Sequence, residues 1–148
     1  ITDIDGDGKM EVVVSQAEIP EAKLAVFQPD LDNLEKEWDY ELLADDLYAP
    51  HSLQIADINN NNRKDIIVGE MTCGGWEFEI NSNPQVIMYE NEGDLKFKKK
   101  VLDNEVGIHE MKMVLNKKDS NLVFFGADEI QEHKISGMNT DILFWKIN

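Results

Sequence analysis

An all-β chain made of repeated four-stranded units is what this sequence predicts, and three observations predict it. The chain is similar to itself, its apolar segments are too short for helices, and about four such segments fall in each repeat. Residues 1–14, Ile-Thr-Asp-Ile-Asp-Gly-Asp-Gly-Lys-Met-Glu-Val-Val-Val, align without a gap on residues 55–68, Ile-Ala-Asp-Ile-Asn-Asn-Asn-Asn-Arg-Lys-Asp-Ile-Ile-Val. Asp3 then matches Asp57, an offset of 57 − 3 = 54. A third, worn copy follows. His51-Ser-Leu-Gln-Ile-Ala parallels His109-Glu-Met-Lys-Met-Val at an offset of 58, and Ile66-Ile-Val-Gly69 parallels Val123-Phe-Phe-Gly126 at 57. The one-residue difference predicts a deletion in the third loop.

The elements read in order as short strands. Residues 11–16, 65–71 and 121–127 are rich in Val, Ile and Phe, which favour a pleated backbone. Residues 23–28, 85–90 and 141–146 come next and alternate, as in Val86 and Met88 against Ile87 and Tyr89. Residues 37–43 and 95–102 follow, patterned as Trp38, Tyr40, Leu42 and Leu95, Phe97. Residues 52–56 and 110–114 open the next repeat. Turn residues separate them: Asn91-Glu-Gly93-Asp94, Pro29-Asp30 and Ser136-Gly137. Residues 30–39 are acidic enough to suit a helix, but Trp38, Tyr40 and Leu42 alternate instead.

Four strands per repeat is the pattern of a β-propeller blade. With strands lettered A to D from the axis outward, residues 1–45 hold B to D of one blade, 46–103 a whole blade, and 104–148 A to C of a third. That is about two and a half to three blades, and rings close with ~4–8. The expectation is therefore a fragment of a longer chain, or several copies completing one ring. The start at Ile1-Thr2-Asp3, with neither Met nor leader, agrees with this expectation.

Composition narrows the function classes. The chain has 148 residues, 30 Asp and Glu, 14 Lys and Arg, and a net charge of −16. Such acidity argues against nucleic acid, whose phosphates need Lys and Arg to displace counterions. It also argues against docking to an anionic membrane, and no apolar run reaches the ~18–20 residues of a span. Cys73 is the only cysteine, which rules out an internal disulfide and a cysteine-built metal site. Lys96, Lys98, Lys99 and Lys100 read as an exposed strand whose charges discourage edge pairing.

The most specific pattern is Asp3-x-Asp5-Gly6-Asp7-Gly8-x-x-Glu11. Calcium takes ~6–8 oxygen ligands at ~2.3–2.6 Å. Carboxylates at alternate positions of a tight loop converge on one point, and the glycines permit the turn that aims them. Asp3, Asp5, Asp7 and Glu11 would supply side-chain oxygens and Lys9 its carbonyl. An EF-hand starts alike but needs a Glu at loop position 12 and a following helix. Position 12 is Val14, inside a Val-rich strand, so a strand–loop–strand calcium site is expected instead. The second loop offers Asp57, Asn59, Asn61, the Arg63 carbonyl and Asp65. Two carboxylates have become amides, so a weaker site and a metal-free Asn-rich turn are equally good readings. Residues 115–120 lack the pattern, and no metal is expected there.

This loop, followed by Val12-Val13-Val14 and repeated beside a blade pattern, resembles the FG-GAP/VCBS-like repeat family. The resemblance extends to Pro50-His51, Asn83-Pro84 and Gly107-Ile108-His109-Glu110, which look like its bacterial branch. It implies a calcium-binding β-propeller in an extracellular or periplasmic setting. It also implies a structural calcium that fixes the A–B turn, and carbohydrate or protein as ligand. Some similar propellers are polysaccharide lyases or sugar dehydratases.

In a blade, the rim opposite the calcium loops would carry His51, His109, Glu70 and the 72–84 loop with Trp76. Histidines, an acid and an aromatic suit a sugar pocket or a proton-transfer site. The plainer readings are histidines bonded to neighbouring loops, Trp76 capping apolar space, and an exposed His133. A zinc site is the further alternative for the histidines, but two ligands are too few. No nucleophile–base constellation is visible, so a scaffold or binding module is expected before an enzyme.

Overall fold

The computed structural model describes residues 1–72, 79–115, 122–127 and 142–146. These residues form ten strands and no helix, and no helix among them is long and apolar enough to cross a membrane. In chain order the strands are β1 (Val12–Ser15), β2 (Ala22–Gln28), β3 (Asp39–Leu47), β4 (Pro50–Ala56), β5 (Asp65–Glu70), β6 (Gln85–Gly93), β7 (Lys96–Asn104), β8 (Glu110–Leu115), β9 (Leu122–Ala127) and β10 (Ile142–Lys146). They form the sheets β1–β2–β3, β4–β5–β6–β7 and β8–β9–β10, and within each sheet strands consecutive in sequence pair antiparallel. None of the three closes on itself.

The repeat is visible in the ladders. Thr2 bridges Glu11 as Ala56 pairs with Asp65, both at the offset of 54. The third sheet departs from the sequence alignment. Met113 pairs with Phe124 as Ile55 pairs with Ile66, an offset of 58 on both strands (113 − 55 and 124 − 66). The expected one-residue deletion is thus absent from the ladder. The matched glycines were the misleading signal, because Gly69 and Gly126 sit at different rungs.

Two apolar layers hold the sheets together. Between the first and second lie Ile4, Val13, Leu24, Val26, Ile66, Val68, Ile87 and Tyr89. Between the second and third lie Ile58, Ile67, Val86, Met88, Ile108, Met111 and Phe124. Alternate residues of β5 thus face opposite layers, and all six of its positions are buried. Each fully buried aliphatic side chain contributes roughly 1.5–3 kcal/mol relative to exposure. Ile108 packs so close to the second sheet that a Cβ on Gly69 would lie 2.8 Å from its own Cβ.

Two strand limits differ from expectation. β3 runs on through Ala44-Asp45-Asp46 to Leu47, because Leu47 is buried and pairs with Ala22. That carries it past the expected boundary at 45/46. The turn after β6 is the pair Asp94-Leu95, both at positive φ, so Leu95 leaves the strand expected to contain it. Two central residues in that conformation match the right-handed twist of a hairpin. β7, with its lysines, is an edge strand, and Lys100 pairs with Glu90 at 2.7 Å.

Candidate metal centre

The first loop, residues 3–11, joins the end of the Thr2 bridge to β1. Ligand oxygens of Asp3, Asp5 and Glu11 lie within 4.8 Å of one another. Two oxygens on one calcium at ~2.5 Å sit at most about 5 Å apart, so this donor set fits the ion in spacing and hardness. Asp7 stands outside the cluster. Its Oδ2 meets the Lys9 Nζ at 3.5 Å and its Oδ1 accepts the Lys9 N–H at 2.7 Å. Three of the four expected carboxylates are therefore together.

Backbone bonds shape the loop. Asp3 accepts the N–H groups of Gly6 at 2.7 Å and Gly8 at 3.2 Å, and Asp5 that of Asp7 at 3.0 Å. Gly6 and Gly8 take φ of +82° and +89°, where a Cβ is costly. Glu11 is buried, and its Oε2 accepts the Ile4 N–H at 2.8 Å. Burial pushes its carboxyl up, the Ile4 N–H opposes this, and the charges of Asp5, Asp7 and Asp3 add to the rise.

The second loop repeats four of these five bonds at the offset of 54, and in place of the fifth the Asn61 N–H, not that of Asn60, donates to the Asp57 Oδ1 at 3.0 Å. Asn62 N–H donates to Asp57 at 2.8 Å, Asn61 N–H to Asn59 at 3.2 Å, Arg63 N–H to Asn61 at 2.8 Å and Ile58 N–H to Asp65 at 3.0 Å. Asn60 and Asn62 take the positive φ of the two glycines, at 58° and 62°. The side chains are differently engaged. Asp65 is fully buried and its other oxygen accepts the Asn91 N–H at 2.8 Å. Asn59 donates to Glu90 at 2.9 Å, and the Arg63 Nε to the Asn91 carbonyl at 2.8 Å. The third loop, residues 116–121, lies outside the described residues.

Asn91 was legible in the sequence only as part of a turn. It is wholly buried at the end of β6, and its Nδ2 donates to the Ile4 carbonyl at 2.9 Å and the Lys64 carbonyl at 3.1 Å. One amide thus joins the two loops. Its spacing from Gly93, whose N–H donates to the Asn91 Oδ1, was the available signal.

His51, in β4, and His109, just before β8, lie at the strand ends far from the loops and do come together. Their rings stack with centroids 4.2 Å apart and planes 18° from parallel. His51 Nδ1 lies 2.7 Å from the His109 carbonyl and Nε2 lies 3.1 Å from Glu18, a partner the sequence did not reveal. Glu70 is buried and joins neither histidine. Its Oε1 accepts the Tyr48 N–H at 2.8 Å, and Oε2 the Gln85 N–H at 3.0 Å and the Asn81 amide at 3.5 Å. Burial pushes this carboxyl up, and those N–H groups and Lys99 oppose the rise. Glu70 therefore ties the β3–β4 corner to the start of β6. Trp76 and His133 lie outside the described residues.

Two concavities lie on the first sheet, and one of them borders the first loop. One, of about 550 Å³, has Asp7, Glu11, Gln28, Asp30 and Asp39 in its wall. The other, of about 350 Å³, is lined by Phe27, Leu34, Lys36, Glu37, Trp38 and Tyr40. Both are on the first sheet, away from the histidine rim.

Residues 3–68 match the family model described as an FG-GAP-like repeat, a span that runs from the first acidic residue through the second loop to β5. No curated protein and no solved structure matches the chain.

Proposed function

The chain carries an FG-GAP-like repeat over residues 3–68, and from that premise we propose a calcium-stabilised β-propeller-type repeat module. It serves as an extracellular or periplasmic scaffold or binding domain for carbohydrate or protein. The observation that carries this reading is the convergence of Asp3, Asp5 and Glu11 within 4.8 Å. Calcium there offsets the mutual repulsion of the carboxylates and fixes the turn into β1. The residues themselves hold the loop ready, since the Gly6, Gly8 and Ile4 N–H groups already orient Asp3 and Glu11. In the second loop the donors would be Asp57, Asn59 and Asn61, with fewer charges and Asp65 already engaged by two N–H groups.

The same bonds favour a module over an enzyme. Both His51 nitrogens and both Glu70 oxygens have partners within the fold. Titrating calcium into chelator-treated protein by calorimetry tests the reading. One site tighter than any other is expected, and Asp5→Asn should weaken it about tenfold by removing one ligand charge. Absence of calcium binding, or a wild-type affinity in Asp5→Asn, would overturn it. A glycan array with and without calcium then separates carbohydrate from protein as the ligand.

A further inference from the structure

Both nitrogens of the His51 ring meet acceptors. Nδ1 lies 2.7 Å from the His109 carbonyl oxygen, and Nε2 lies 3.1 Å from Glu18 Oε1. Neither a carbonyl nor a carboxylate has a proton to give, so each bond needs an N–H from the ring. Neutral imidazole carries one N–H and imidazolium carries two. Only the charged ring makes both bonds, and the Glu18 carboxylate it faces matches that charge. A neutral ring that keeps its N–H on the His109 carbonyl turns a lone pair towards Glu18, and the two repel.

Glu18 is placed for this contact and loosely held without it. It lies in the β1–β2 turn at a φ of 61°, a backbone conformation that a side chain makes costly. The base of the turn is fixed by the Gln16 N–H on the Lys23 carbonyl and the Lys23 N–H on the Gln16 Oε1, both at 2.9 Å. Beyond that base, the tip meets the second repeat through the Ala49 N–H, which donates to the Ile19 carbonyl at 2.8 Å, and through His51. The Glu18 side chain is 59% exposed, so water is ready to take its place beside the ring. Through Glu18 and the His109 carbonyl, one imidazole ties three successive repeats together.

We propose that His51 is a proton-operated clamp, holding the β1–β2 tip through Glu18 when the ring is charged and releasing it when the ring is neutral. Imidazole changes charge between about pH 5 and 8. The clamp is therefore closed on the acid side of that range and opens as pH rises through it. Among the described residues, two further titratable groups stand around the ring. His109 stacks on it at 4.2 Å, and Glu110 has its carboxyl lowered first by its bond to Lys112 at 2.6 Å and further by the two histidines. Glu70, on the strand beside β4, gives its oxygens to Tyr48 and Gln85 instead. The clamp is on the rim away from the metal loops and does not rest on the calcium reading.

Nuclear magnetic resonance on the full chain in chelator tests the proposal at about pH 5.5 and 8.5, on either side of the imidazole range. Long-range proton–nitrogen correlation should show both His51 nitrogens protonated at the lower pH and Nδ1 alone at the higher. Backbone order parameters of residues 18–21 should fall from roughly 0.85 to below about 0.6 over the same interval. Glu18→Gln keeps the contact in either state, because its amide can donate to the neutral Nε2, so its tip should stay ordered at both pH values. Glu18→Ala should leave the tip mobile at both. His109→Phe retains a stacked ring and the backbone carbonyl, and should respond to pH as the wild type does. Circular dichroism confirms that each variant folds, and His109→Tyr replaces a phenylalanine variant that does not. A single proton on His51 at the lower pH overturns the proposal. So do wild-type tip order that ignores pH, a pH response that survives in Glu18→Gln, and one that disappears when the His109 ring is replaced.

Discussion

The first and second loops are the same object built twice with different charges. Four backbone-to-side-chain bonds recur at the offset of 54, and two residues in each loop share the same left-handed backbone. Glycine supplies that backbone in the first loop and asparagine in the second, since both tolerate positive φ. The carboxylates differ. In the first loop they crowd together, and Glu11 keeps one oxygen clear of N–H groups. In the second, Asp65 holds Ile58 and Asn91 with its two oxygens, and Asn59 and Arg63 reach across to β6. The lesson is that loop shape here does not depend on ligand charge. The second loop closes through protein contacts, whereas the first leaves a concentration of negative charge for a cation to offset.

The largest effect that sharpens this contrast is expected from Asp65→Ala measured against Glu11→Ala in chelator. Asp65→Ala strands two buried N–H groups and should cost roughly 3 kcal/mol or more, while Glu11→Ala strands one and should cost about 1–3 kcal/mol. Urea unfolding followed by circular dichroism gives both values, and equal losses would break the distinction. Next comes conversion of the second loop by Asn59→Asp with Asn61→Asp. The new carboxylate at position 59 faces Glu90 in place of an amide donor, so stability should fall in chelator. Calcium should restore it, with calorimetry showing the second loop binding at least about tenfold more tightly than before. No gain in affinity would mean that the loop's bonds to β6, and not its missing charges, limit it.

The smallest effect concerns Glu70, a buried carboxyl outside both loops, where burial outweighs the hydrogen bonds and the Lys99 charge that oppose it. Its carboxyl is raised above the ordinary 4.5, first by burial. A raised carboxyl binds its proton more tightly folded than unfolded. Its contribution is therefore complete below that value and is lost as pH rises through the folded one. The stability gap between wild type and Glu70→Gln should accordingly move in favour of the variant over that window. Unfolding midpoints at a series of pH values, in chelator, measure it, and a gap that does not move would contradict the assignment.

Much of the architecture was legible because strands bury alternate residues and repeats bury them alike. The ten segments read as strands from composition, alternation and repeat position all became strands in the expected order. The equivalence of His51 and His109 foretold their meeting, since equal positions on adjacent repeats lie side by side. What the sequence hid was decided by tertiary partners. Nothing local shows that Leu47 pairs with Ala22, that Leu95 adopts a turn conformation, or that Glu70 is held by Tyr48 and Gln85. The glycine match between 69 and 126 pointed to the wrong register, because one small residue outweighed a ladder that alignment cannot see.

Asn91 has a consequence for the order of assembly. Its side-chain amide holds the Ile4 carbonyl across 87 residues of chain and the Lys64 carbonyl across 27. The entropy of bringing such distant points together is lost before the contact returns anything. Neither carbonyl is in place until its own loop has turned and β6 has paired to its end. The joint between the first two repeats is thus a late contact, formed when both neighbours are already shaped, and it registers in a single buried amide whether the two have met correctly.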